Sequence, residues 1–198
     1  MKQNSVYKYS LVMVLALLML TACAIEPSRK PGAADKEVVV SVDSDVQQLF
    51  DQAVQALSRD EYDNAITLLN TVIEREQRLT APYINLAMAY RKQGDDEKAE
   101  ENLMKALDLD LAHPVANNEL GLLYRKLGRF ADARKAYTNA LTEHPDYLPV
   151  IKNLGILCDI YMRDLQCALE QFESYQNQVP DDKTMQIWIA DLKRRIGS

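Results

Sequence analysis

Three cysteines and two histidines are the side chains of this 198-residue chain best suited to nucleophilic, redox or acid–base work near neutral pH. Cys158 and Cys167 lie too far apart for the Cys-x-x-Cys arrangement of a redox-active dithiol. They stand late in one expected helix and at the start of the next. Antiparallel helices joined by a short turn bring such positions together, so in an oxidising compartment a disulfide is the preferred reading; two buried thiols is the alternative. His113 and His144 each precede a proline, in His113-Pro114 and His144-Pro145, which puts them in short connections as solvated loop histidines. Asp108 with Asp110, and Asp181 with Asp182, could be paired carboxylates. They sit instead where a helix end and the N-cap of a final helix are expected. There is no Gly-x-Ser-x-Gly, Walker-type loop, Gly-x-Gly-x-x-Gly or His-Glu-x-x-His, so the usual carriers of nucleophilic, phosphate and zinc chemistry are missing. The chain is therefore not expected to be an enzyme, and no cofactor, metal or small-molecule substrate is expected for it.

Composition points the same way. With 23 Lys and Arg against 29 Asp and Glu, the formal charge is -6, which argues against a nucleic-acid partner bound by neutralising phosphates. Hydrophobic residues at 47% and charged residues at 26% suit a folded chain and exclude a polytopic membrane protein. Six glycines are few and fit helices better than many tight turns. The length supports one domain or one short array of repeats.

The elements that must position these residues begin with the N-terminus. Residues 1–10 carry Lys2 and Lys8 and no acid, and Leu11 to Leu20 is an unbroken apolar run. Ten helical residues rise only about 15 Å against a hydrocarbon core of about 30 Å, so the run reads as a signal-peptide core rather than a span. It ends in Leu20-Thr21-Ala22-Cys23, which resembles the lipobox of bacterial lipoproteins. An ordinary secretory signal with an incidental cysteine is the alternative. The resemblance implies lipidation at Cys23 after removal of residues 1–22, with several acyl chains anchoring the protein to a membrane. Ala24, where an Asp would direct retention, implies the periplasmic face of the outer membrane. Cleavage would remove two cations and no acid, leaving a charge of -8. Residues 23–44 then read as the lipidated Cys23 and a flexible tether containing Pro27, Ser28, Pro31 and Gly32.

Beyond the tether, one period organises the chain. Leu86, Ala87, Tyr90, Gly94, Ala99, Leu103, Ala106 and Leu107 recur 34 positions later as Leu120, Gly121, Tyr124, Gly128, Ala133, Tyr137, Ala140 and Leu141. Stepping back gives Ala53, Ala56, Ala65, Leu69, Val72 and Ile73, and stepping forward gives Leu154, Gly155 and Cys158. The register then slips by one, to Ala168, Phe172 and Tyr175, which predicts an extra residue in the fourth inter-helix turn near Met162 to Asp164.

This pattern resembles the tetratricopeptide repeat, in which a first helix with Leu-Gly and Tyr, a Gly turn and a second helix with Ala, an aromatic and Ala form one unit. The resemblance implies an all-α, right-handed α-solenoid of about four helix pairs over residues 45–182 (units near 46–79, 80–113, 114–147 and 148–182), with a C-terminal capping helix at 183–198. Small Ala87, Gly121 and Gly155 are expected to let the first helix approach Ala99, Ala133 and Ala168, with Tyr90, Tyr124, Tyr137 and Phe172 filling space between neighbouring pairs. The first unit departs from the pattern: Asp60 replaces the turn glycine, and Gln52 and Ala56 stand in for Leu and Tyr. In the second unit Leu111 replaces the closing proline.

In that family the first helices line a concave groove that holds an extended peptide or a helix. The corresponding positions here are Ile84, Met88, Arg91 and Lys92; Asn118, Leu122, Arg125 and Lys126; and Lys152, Ile156 and Asp159. Arg91-Lys92 and Arg125-Lys126 are one period apart and predict a basic ridge beside Met88, Leu122 and Ile156, suited to an acidic and apolar protein partner. The competing reading is that these cations answer the helix dipole. The carboxylate-clamp branch, which grips chaperone C-termini, needs Lys and Asn where this chain has Ile84 and Met88, so that ligand is disfavoured. The expected function is a lipid-anchored periplasmic scaffold that docks a protein partner. The stretch from Ala168 to Leu192 resembles the tail of tetratricopeptide proteins associated with TonB-type energy-transduction systems. A pilotin of type IV pilus assembly and an adaptor for peptidoglycan hydrolases are the alternatives.

Overall fold

The computed structural model describes residues 43–197. The expected signal segment, Cys23 and the tether as far as residue 42 lie outside those residues. Within them the chain is a succession of antiparallel helical hairpins with no strand: α1 (Ser44–Ser58) with α2 (Tyr62–Arg75), α3 (Thr80–Gln93) with α4 (Asp96–Leu109), and α5 (Pro114–Lys126) with α6 (Phe130–Glu143). A fourth pair follows, α7 (Leu148–Ile156) continuing into a π-helical segment (Leu157–Met162) and returning as α8 (Leu165–Gln178), and α9 (Lys183–Ile196) closes the array. No helix among the described residues is long and apolar enough to cross a membrane.

Local chemistry explains where helices start. Asp43, Asp95, Asp164 and Asp182 each accept a hydrogen bond from a backbone N–H in the first turn of α1, α4, α8 and α9. Each supplies an acceptor for one of the N–H donors that a helix N-terminus leaves unpaired. His113 does the same for α5: its Nδ1 accepts from the Ala116 N–H at 3.3 Å. It is thus a half-buried cap rather than a solvated loop residue, and burial pushes its pKa down.

How the first helices stop is equally regular. One residue in each hairpin turn takes the left-handed backbone conformation, namely Asp60 (φ 60°), Gly94 (φ 84°), Gly128 (φ 75°) and Arg163 (φ 55°). In the first three turns a backbone bond then reaches back five residues: Glu61 N–H to Ala56 C=O, Asp95 to Tyr90 and Arg129 to Tyr124. In the fourth, the Asp164 N–H reaches back six, to Cys158 C=O at 2.9 Å. The extra residue expected in the turn near Met162 to Asp164 is therefore absorbed before it, by widening the last turns of the first helix into a π segment. The turn keeps the geometry of the others because a helix can take up one residue without changing its exit point.

Packing of the pairs depends on two glycines. A Cβ on Gly121 would fall 2.3 Å from the Tyr137 ring, and one on Gly155 would fall 2.3 Å from the Phe172 ring. Tyr137 and Phe172 are 0% and 1% exposed. For Tyr137 and Phe172 the expectation of aromatics between pairs is corrected here: Gly121 and Gly155 each leave a socket that an aromatic of its own hairpin fills, whereas Tyr124 does reach the preceding hairpin, donating its hydroxyl to Glu100. A ring packed against a bare helix backbone buries more apolar surface than two facing alanines. A continuous core runs from Ile84 to Leu192, and Ala53, Leu69 and Leu86 form a smaller cluster at the first hairpin.

Each helix packs on its neighbours in sequence, and the first helices of successive hairpins (α1, α3, α5, α7) also touch one another in order. The second helices show no comparable mutual contact. The side where helices converge is the inner side of a curved stack, so the first helices form the inner face.

Candidate functional site

The inner face carries a row of half-buried apolar side chains, Met88 on α3, Leu122 on α5 and Ile156 on α7. They share a face because they occupy equivalent positions, 34 residues apart, on helices set side by side. The other expected groove residues have diverse places. Ile84 is 4% exposed and belongs to the core. Asn118 is buried, and its Oδ1 accepts from Asn153 Nδ2 of α7 at 2.8 Å. That bond ties two first helices together and removes Asn118 from the surface. Lys152 lies over the rings of Tyr175 and Trp188, at 5.7 and 5.9 Å. Asp159 meets Arg195 of α9 at 2.8 Å.

The basic ridge expected from Arg91, Lys92, Arg125 and Lys126 is not continuous. Arg91 Nη2 lies 2.7 Å from Glu119 Oε2 of α5, an ion pair without an aligned hydrogen bond. Lys126 Nζ is 2.7 Å from Asp96, at the start of α4. Acidic side chains of the adjacent hairpin or helix thus neutralise two of the four cations. Lys92 stays exposed. Arg125 stacks its guanidinium 5.8 Å from the Tyr161 ring and has no carboxylate partner among the described residues.

Sequence reasoning missed Glu119, whose only signal is its place between two groove positions, and it missed the polar end of Tyr137. The Tyr137 ring crosses over Gly121. Its hydroxyl then lies within the electrostatic reach of Arg125, Glu119, Arg91 and Tyr161. Burial pushes the Tyr137 phenol up to about 12, with Arg125 and Arg91 pulling the other way and Glu119 adding to the rise. Burial also raises Glu119, against the opposing pull of Arg91 and Asn118. Two donors in this cluster are buried without a hydrogen-bond partner, Tyr137 Oη and Arg125 Nη1.

At its C-terminal end the inner face opens into a cleft of about 400 Å³ lined by Ile156, Ile160, Trp188 and Ile187, with Asp159 and Asp191 at its margin. Ile160 and Ile187 are 64% and 67% exposed. Next to it Cys158 and Cys167 are joined by a disulfide with Cα atoms 5.9 Å apart. Asp164 lies near both sulfurs, but neither sulfur is a thiolate able to ligate a metal.

Residues 84–147 match a family model described as Tetratricopeptide repeat. The chain is 26% identical over 100 residues to a probable UDP-N-acetylglucosamine–peptide N-acetylglucosaminyltransferase SPINDLY of Solanum lycopersicum, covering 50% of this chain and 11% of that protein. It is 33% identical over 73 residues to the photosystem I assembly protein Ycf3 of Prochlorococcus marinus, covering 37% of this chain and 40% of that protein. The chain thus spans well under two thirds of the length of either of these two relatives. Among solved structures, pilF of Pseudomonas aeruginosa superposes with a TM-score of 0.68 at 21% identity, covering 76% of this chain and 68% of that chain. This likeness is one of fold. The similarity to the tetratricopeptide repeat thus lies in residues 84–147, and the likeness of the remaining described hairpins to pilF is one of fold.

Proposed function

We propose that this chain is a non-catalytic adaptor, held at the periplasmic face of the outer membrane through lipidated Cys23, whose inner face docks an extended segment or helix of a partner protein. The assembly it supports is an envelope machine, with a TonB-type energy-transduction system as the leading reading. The observation that carries the docking proposal is the row Met88, Leu122 and Ile156, which leaves half-buried apolar surface at a regular step along the face where the helices converge. Regularly spaced apolar sites with polar flanks suit a linear ligand better than a compact one. The anchor rests on the lipobox-like Leu20-Thr21-Ala22-Cys23. The fold likeness to pilF does not favour the pilus alternative, because one helical stack serves many unrelated partners.

The test is photo-crosslinking in cells from a reactive residue placed at Leu122, against a control at Lys105, which is exposed on α4. A discrete partner captured from position 122 and not from 105 is the expected result; equal labelling from both would exclude the inner face as the docking surface. In the same cells Cys23→Ala should move the protein from the membrane to the soluble fraction. Retention in the membrane would dismiss the anchor.

A further inference from the structure

The end of the array carries apolar surface that the packing of the hairpins does not use. Ile160 and Ile187, 64% and 67% exposed, both line the cleft of about 400 Å³ beside Ile156 and Trp188. Ile160 also lines an adjoining hollow of about 430 Å³ with Leu165 and Arg163. The second and third units place Lys92 and Lys126 where the fourth, one period on, has Ile160. A cation suits the exposed end of a first helix, whereas an isoleucine there leaves apolar surface in water at a free-energy cost. The wall of the cleft is held in place. Trp188 packs on the buried Phe172 ring with centroids 5.4 Å apart, and the Cys158–Cys167 disulfide pins the π segment that bears Ile160. A preorganised apolar cleft loses little freedom when a side chain fills it.

We infer that this cleft anchors the docked partner through one large apolar side chain flanked by acidic residues. The inference rests on the docking reading and adds to it the place and the chemistry of the main contact. Ile156 belongs both to the apolar row and to the cleft, so a segment lying along the row reaches the cleft without leaving the inner face. Charge selects the flanks. The two carboxylates that line the cleft, Asp159 and Asp191, are both engaged by Arg195, and Asp191 also by Arg194. Two cations are left without a carboxylate partner among the described residues: Lys152, whose Nζ lies 5.9 Å from the Trp188 ring, and Arg163 in the adjoining hollow. One borders the cleft at Trp188 and the other at Ile160. A partner that presents carboxylates beside its apolar side chain is therefore favoured, and a basic one is disfavoured.

Trp188 is the one tryptophan of the chain, so its fluorescence reports on the cleft directly. The full chain is titrated with three synthetic peptides that lack tryptophan: one with a phenylalanine flanked by glutamates, one with alanine in place of that phenylalanine, and one with lysines in place of the glutamates. A saturable change with the first peptide is expected, with binding of the other two at least about tenfold weaker. Ile160→Lys restores the side chain that the preceding units carry. Its helix content should stay the same by circular dichroism, while affinity for the first peptide falls about tenfold. Arg163→Glu should narrow the preference for glutamate over lysine flanks. The anchor is overturned by the absence of a saturable change, by equal binding of the alanine or the lysine peptide, or by unchanged affinity in Ile160→Lys. A Trp188 signal that varies with protein concentration without peptide would overturn it too, since a second copy would then fill the cleft. Capture in cells separates the two readings. If position 122 captures its partner equally well in Ile160→Lys, the anchor fails and the docking face stands. If the peptides bind as expected but position 122 captures no partner, the docking reading fails instead.

Discussion

The two central hairpins, α3 to α6, and the fourth pair, α7 to α8, repeat one plan and stabilise it differently. In the centre, glycines 94 and 128 end the first helices without strain, and the hairpins are laced by side chains about thirty residues apart. Lys126 reaches Asp96, and Arg129 pairs with Glu100, which also accepts from the Tyr124 hydroxyl at 2.8 Å. In the fourth pair the turn residue is Arg163, the first helix widens into a π segment, and a disulfide joins its end to the start of α8. Where Asp96 and Lys126 form an ion pair between the second and third hairpins, the next seam brings Phe130 and Tyr161 together with ring centroids 5.0 Å apart. A repeat period therefore constrains shape more tightly than it constrains the interactions that hold the shape. Exposed ion pairs contribute little individually. What both regions share, and what matters most, is the aromatic ring seated on a glycine.

Breaking that shared element should have the largest effect. Gly121→Val places side-chain atoms inside the space of the Tyr137 ring and should cost about 3 kcal/mol or more, read from the urea midpoint, with Gly155→Val behaving alike against Phe172. A small loss at either position would mean that the rings can move aside and that the regions share less than proposed. The next effect separates the regions. Replacing Cys158 and Cys167 by Ser opens a closure of nine residues' separation and should cost about 2.5 kcal/mol in the chain-entropy picture, with faster amide exchange in α7 to α9 than in α3 to α6. Uniform loss of protection would argue that the array melts as one body. The smallest effect compares the turns. Gly128→Ala forces a Cβ into the left-handed region and should destabilise by about 1 kcal/mol, whereas Arg163→Gly relieves that cost and should stabilise by about 0.5 kcal/mol. Equal responses in thermal melts would remove the distinction between the two turn types.

Much of this was legible in the residues. Periodic Leu, Ala, Gly and aromatic positions specify a helical repeat of fixed length, but the period alone did not show that the ring sixteen residues after Gly121 seats on that glycine. Asp60 could be read as the stand-in for a turn glycine, and the structure gives it φ 60°. The site was less legible. Arg91 and Arg125 look equivalent in sequence, yet one meets Glu119 while the other stacks on Tyr161 from the next hairpin.

By itself the sequence determined the repeat length and the all-helical character of the array, because those follow from local backbone preference and the spacing of apolar side chains along each helix, whereas the inner face was expected from the family resemblance. Only the tertiary structure decided which cations are neutralised, where the added residue is absorbed and that the Tyr137 hydroxyl ends beside Arg125. These depend on distances between different hairpins, and such distances are set by how rings and helices interlock in three dimensions, which no single segment encodes.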